Sequence, residues 1–355
     1  MNSTHRIPHQ RLATALLLVV SLYVVGCESR DSGSGAGAST TGPSAATPDE
    51  VRIGYFANLT HAQAVIGASN GDFEQAVAPA KLKTRVFNAG PSLIEALFAK
   101  QIDIGYVGPG PAVAAFAKSR GQGIVVIAGA AANGVAIVAR EGSGINTLAD
   151  LKGKRIATPQ HGNTQDIAAR YYLQHELKQD SLSNVIPVAN AEQSGLMSRG
   201  EIDAAWAPEP WGARLVAEAK GKIIGEEKDL WPSKKFTLTL VVTTPEFLHD
   251  HPDIVRNVLA RHRKITTDLK AEPKKQLPAL EAGLFALTNK KLPEGVLADA
   301  ITRVEFTEDP LPDTLQKMAE WSHAIGFVQE EPKLDGLVDT SLLDELRGTS
   351  VGAKP

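Results

Sequence analysis

LADLKGKRIATPQHGNTQDIAARYYL, residues 148–173, decides the fold. DLKGKRIA (150–157) is a turn leading into a short strand, and IAARYYLQHEL (167–177) places apolar residues at helical spacing. Between them, Gly162, Asn163 and Thr164 stand where the helix must begin. Short polar side chains there cap free backbone N–H groups, and the glycine lets the backbone come close to a ligand. A strand turning sharply into an amphipathic helix is the repeating unit of α/β folds.

The same alternation extends in both directions. Strands are expected at 51–56, 83–88, 102–108, 124–131, 134–140, 154–159, 184–189, 203–208 and 237–244, with helical patterns such as LIEALFAK (93–100) between them, as in mainly parallel sheets. After Thr244 the pattern turns helical, over 245–269, around 273–288 and over 312–328. GVAIVAR (134–140) and TLTLVVTT (237–244) are long and apolar and flank the middle region, which suggests strands running between two lobes. The expected organisation is a discontinuous first lobe, 51–138 with 241–355, and a second lobe, 139–240, forming a two-lobed α/β clamp with a helical C-terminal part.

The N-terminus reads as a targeting segment. Arg6 and Arg11 precede an apolar run from Leu12 to Val25, too short for the roughly 20 residues of a membrane span. Val-Val-Gly then leads to Cys27, the one cysteine of the chain. Residues 1–26 are therefore expected to be a lipoprotein signal, Cys27 the lipid attachment point, and the Gly/Ser/Ala/Thr-rich segment 27–50 a flexible tether. A single cysteine excludes an internal disulfide and a cysteine-based metal site. The formal charge is −3, and removal of Arg6 and Arg11 leaves 35 basic against 40 acidic residues, or −5. That balance offers no basic field for nucleic acid.

In open α/β sheets a ligand lies beyond the C-terminal ends of strands, where the next helices start. Three such junctions carry the candidate site: Asn58, Thr60 and His61; Gly108 and Gly110; and Gly162, Asn163, Thr164 and Gln165. Each offers N–H donors and the positive end of a helix dipole. Residues 57–64, 106–112, 130–136, 158–168 and 204–211 contain no Lys or Arg, so an anion there is held by neutral donors. A sulfonate, with three acceptor oxygens and no proton, suits them. Taken singly, these residues also read as ordinary caps and turns. His61 and His161 would make anion affinity fall as pH rises, unless they merely cap or face solvent. In AAWAPEPW (204–211), Trp206 would wall the cleft against an organic tail and Glu209 would accept from a ligand ammonium or hydroxyl, while Trp211 is expected in the second-lobe core. His249 and His251 have no third ligand nearby and mark a helix entry rather than a metal site.

GYFANLTHAQAVIG (54–67), FNAGPSLIEALFAKQIDIGYVGPGPA (87–112), the opening stretch, GEIDAAWAPEPW (200–211) and EFTEDPLPDTL (305–315) together resemble the substrate-binding proteins of ABC importers for aliphatic sulfonates, nitrate and taurine. The resemblance covers nearly the whole chain after the tether. It implies the type II periplasmic-binding-protein fold, a small ligand captured between the lobes, an ABC permease as membrane partner, no cofactor and no reaction. It also implies ligand contact for Asn133 and Gly134, though Gly134 reads equally as a bend. The expected protein is a monomeric solute-binding lipoprotein, periplasmic or on the cell surface, taking an aliphatic sulfonate. Nitrate, taurine or a thiamine-pyrimidine precursor are alternatives. A pyrimidine-synthesis-type enzyme of this fold would carry a cysteine-rich motif, which is missing from this sequence.

Overall fold

The computed structural model describes residues 47–330 and 333–348; the expected signal, Cys27 and the tether as far as residue 46 lie outside them. Eleven strands form two sheets among the described residues. The first, ordered β11-β4-β10-β3-β1-β2, contains β1 (Glu50–Phe56), β2 (Lys81–Phe87), β3 (Ile104–Val107), β4 (Val125–Asn133), β10 (Thr237–Thr243) and β11 (Val304–Phe306). The second, ordered β7-β6-β8-β5-β9, contains β5 (Val135–Ala139), β6 (Ile156–Thr158), β7 (Val185–Pro187), β8 (Ala204–Pro208) and β9 (Lys222–Glu226).

All nine strands expected from the sequence are present. The two additions are sheet-edge strands: β9, KIIGE, is half-exposed and charged at both ends, and β11 is three residues long. Neither has the long apolar run that marked the others. The sheets are mixed rather than mainly parallel. β1 pairs parallel with β2 and β3, and β6 with β7 and β8, through helical crossovers. β5, β10 and β11, which follow the passages between sheets or the late helices, pair antiparallel.

The chain leaves the first sheet at Asn133 and Gly134, both with positive φ (59° and 80°). Such a conformation is available to glycine and tolerated by asparagine. The return passage ends at Phe236, because β10 pairs with β3 and β4 along its length instead of spanning between sheets. The two passages are tied together: the Asn133 amide donates to the Phe236 carbonyl (3.0 Å), and the Phe236 amide donates to Asn133 Oδ1 (3.2 Å).

Apolar clusters cover both faces of each sheet. The helix Pro312–Ala324 joins two of them. Leu315 and Ala319 pack with the first sheet's Val107 and Leu240, whereas Met318 and Trp321 share a cluster with the second sheet's Ile137 and Trp206 and with Ile167 of the helix Thr164–Tyr171. Residues three and four apart share a helix face, so one helix presents two adjacent apolar stripes.

Candidate functional site

Strand ends from both sheets converge on one cavity. It is lined by Phe56 at the end of β1, Asn58, Thr60 and His61 after β1, Asn88 after β2, Gly108 after β3, and Leu238 and Thr239 in β10. The second sheet contributes Pro159, Asn163, Thr164 and Gln165 after β6, Asn190 after β7, and Pro208 at the end of β8. The cavity volume is about 20 Å3, room for a water-sized group. No lining residue is a lysine, arginine, aspartate or glutamate.

Asn190–Ser198 starts at this cavity, and so do two helices whose first turns face each other. Pro109–Lys118 begins after Gly108, with Pro109 in a position where its missing N–H costs nothing. Thr164–Tyr171 begins after an extended Asn163 whose side chain makes no cap. The two ends meet across the sheets: Gly110 N–H donates to Thr164 Oγ1 (3.2 Å). There is no space for a side chain at Gly108, where an added Cβ would lie 2.3 Å from Thr164 Oγ1. Nearby, the Gly90 amide donates to Asn163 Oδ1 (3.2 Å), Trp211 Nε1 to Asn58 Oδ1 (2.7 Å), and the Leu59 amide to the Glu209 carbonyl (3.0 Å).

Of the residues expected at the site, Asn58, Thr60, His61, Gly108, Asn163, Thr164 and Gln165 line the cavity. Gly110 stands behind it through its amide. Gly162, in the left-handed region at φ 74°, gives its amide to Asp166 Oδ2 (2.9 Å) and so shapes the turn. Asn133 and Gly134 form the passage between sheets rather than the cavity wall. A Cβ at Gly134 would fall 2.8 Å from Val304 and 3.2 Å from Thr60.

Two expectations in AAWAPEPW are corrected. Trp206 is fully buried in the second sheet's apolar cluster and donates to Glu227 Oε2 (2.7 Å), so it walls no cleft. The Glu209 carboxyl is also fully buried, facing Arg303 Nε (2.5 Å) and the Ala213 amide (3.1 Å), which leaves it turned from the cavity. Burial raises it to about 7, against the pull of Arg303. Trp211 does pack in the second-sheet core, with its indole N–H reaching Asn58.

The histidines separate as well. His61 Nδ1 faces the Phe56 amide (3.4 Å), and burial pushes the imidazole down to about 3. It is neutral at physiological pH and donates through Nε2 in the tautomer that accepts at Nδ1. The expected fall of affinity with rising pH therefore loses its source. His161 lies outside the lining, largely exposed, between Asp166 and Phe327. No group of three metal-binding side chains is assembled among the described residues.

Sequence reading missed Phe56, Asn88, Pro159, Asn190, Pro208, Leu238 and Thr239. Asn88 and Asn190 follow β2 and β7, so the strand-to-helix rule applied to those junctions would have found them. Nothing local marks Thr239.

Residues 44–278 match the model of the NMT1-like family. The chain belongs to that family. A provisionally named binding protein of Brucella abortus (strain 2308) is 29% identical to this NMT1-like chain over 223 residues, covering 61% of it and 67% of the relative. A provisionally named aliphatic sulfonates-binding protein of Bacillus subtilis (strain 168) is 26% identical over 300 residues, covering 83% and 87%. The alkanesulfonate-binding protein SsuA of Xanthomonas axonopodis pv. citri, solved with MOPS, superposes with a TM-score of 0.67 at 21% identity, covering 83% of this chain and 99% of SsuA. The NMT1-like chain thus has the two-sheet fold of periplasmic solute binders.

Proposed function

We propose that this protein is the solute-binding lipoprotein of an ABC importer and closes two lobes on a small organic anion, an aliphatic sulfonate before nitrate or taurine. The observation that carries this reading is the uncharged cavity at which the helices Pro109–Lys118 and Thr164–Tyr171 both begin. Helix N-termini favour an anion, and N–H and O–H donors can satisfy its oxygens without an opposing charge. The ligand-contacting set is Asn58, Thr60, His61, Gly108, Asn163, Thr164 and Gln165. The lobes follow the sheets, 51–133 with 237–355 and 134–236, in place of the bounds 51–138 with 241–355 and 139–240 expected from the sequence, because β5 belongs to the second sheet and β10 to the first. Only about 20 Å3 is enclosed, so a ligand with an organic tail enters after the lobes part. The protein works as a monomer outside the cytoplasmic membrane, tethered through acylated Cys27, delivers to a permease and catalyses no reaction.

A thermal-shift screen against alkanesulfonates, taurine, nitrate and pyrimidines tests the ligand class. A true ligand at 100 times its dissociation constant adds about 2.7 kcal/mol of stability. A shift with nitrate and none with sulfonates would reassign the ligand; no shift with any anion ends the reading. For the anchor, labelled fatty acid should enter the parent and not Cys27→Ser.

A further inference from the structure

We propose that Thr239 is a specificity-determining residue of the cleft, its hydroxyl donating to an oxygen of the ligand's oxyanion headgroup. The inference rests on the anion-binding reading and adds a contact from the middle of a strand, away from any helix start. Thr239 is 0% exposed and lines the cavity, yet its Oγ1 has no hydrogen-bond partner. Among the orphaned buried side-chain atoms of the described residues, it is the one that belongs to the cavity wall. Buried hydroxyls are ordinarily paired, because an unpaired one has lost its water and gained nothing. The neighbours are already engaged: Asn58 Oδ1 by Trp211, Asn163 Oδ1 by the Gly90 amide, and Thr164 Oγ1 by the Gly110 amide.

The backbone supplies an independent reason. Successive side chains of a regular strand point to opposite faces, yet consecutive Leu238 and Thr239 both line this cavity. The pairing of β10 with β4 shifts on either side of Thr239: Thr237 faces Ala132, Thr239 faces Ala131, and Leu240 faces Gly129. Such bulges re-aim side chains and recur beside functional sites. Here the irregularity interrupts the alternation at the residue whose hydroxyl is unused, with the Leu238 side chain held in an apolar cluster. Thr239 then offers the headgroup a hydrogen bond.

Thr239→Val keeps the branched shape and removes the hydroxyl; Thr239→Ser keeps the hydroxyl. Each is compared with the parent by calorimetric titration with ethanesulfonate, taurine and nitrate, and by melting without ligand. Thr239→Val should bind the best of these anions about 10-fold to 100-fold more weakly, with Thr239→Ser recovering most of the loss. Without ligand, Thr239→Val should melt at the parental temperature or higher, since an unpaired buried hydroxyl has gone. Parental affinity in Thr239→Val, or a lower melting temperature without ligand, overturns the proposal. If the parent binds none of the anions, the anion reading itself fails and takes with it the partner assigned to Thr239. Binding by the parent with equal binding by Thr239→Val removes Thr239 alone.

Discussion

Two parts of the molecule bury polar groups within apolar walls, and they are finished differently. Beneath the second sheet, Glu227 is fully buried between Trp206 Nε1 (2.7 Å) and Trp231 Nε1 (3.4 Å), with Trp231 stacked on Phe236 at 5.0 Å. Its carboxyl closes on indole N–H groups of the same chain, and burial pushes it up to about 8, so it stays protonated at neutral pH. In the cavity, donors from five strand ends converge, no carboxylate answers them, and Thr239 has no partner at all. A buried polar cluster that satisfies itself stabilises a fold; one left short of acceptors is prepared for something the chain does not supply.

The contrast breaks first at Trp206. Trp206→Ala should cost about 3–5 kcal/mol in denaturant unfolding, by opening a cavity and stripping a donor from Glu227. The affinity of the surviving folded fraction for the ligand should stay parental. A large loss of affinity with little loss of stability would return Trp206 to the site.

Glu227 sharpens the comparison through pH. Its carboxyl is protonated up to about 8 when folded and to about 4.5 when unfolded, so the unfolded chain releases this proton first. Stability from this group is complete below about 4.5 and is lost as pH rises to about 8, at up to about 1.4 kcal/mol per pH unit. Glu227→Gln imitates the protonated form and should flatten that fall, read as unfolding free energy across the window. An identical slope in parent and variant would mean that Glu227 is ionised when folded.

The smallest effect concerns His61. Its ring resonances should remain those of neutral imidazole from about pH 8 down to about pH 5, because burial denies the charged form its water. A midpoint near 6.5 in the ligand-free protein would place a switchable charge in the cavity and restore a pH-dependent anion affinity.

Legibility followed the distance over which each feature is made. The stretch 148–173 announced its strand, turn and helix because the capping residues and apolar spacing are local, and Asn163, Thr164 and Gln165 came with them. AAWAPEPW showed that its residues were unusual without showing where they point. Trp206 faces the core through Glu227, 21 positions on, and Glu209 is held by Arg303, 94 positions on. The stretch 312–328 read as helical, yet the second apolar stripe of the helix 312–324 has meaning only once two sheets lie beside it.

By itself, the sequence determined the nine principal strands, the junctions where helices start beside the cavity, and the uncharged character of those loops, since each depends on neighbours within a few residues. The tertiary structure alone decided the strand directions, the turn between sheets at Asn133 and Gly134, the partners of Glu209 and Trp206, and the placement of Thr239. The reason is physical: burial and hydrogen-bond partnership are set by what packs across a sheet, and a bulge is a mismatch between two strands that neither strand contains.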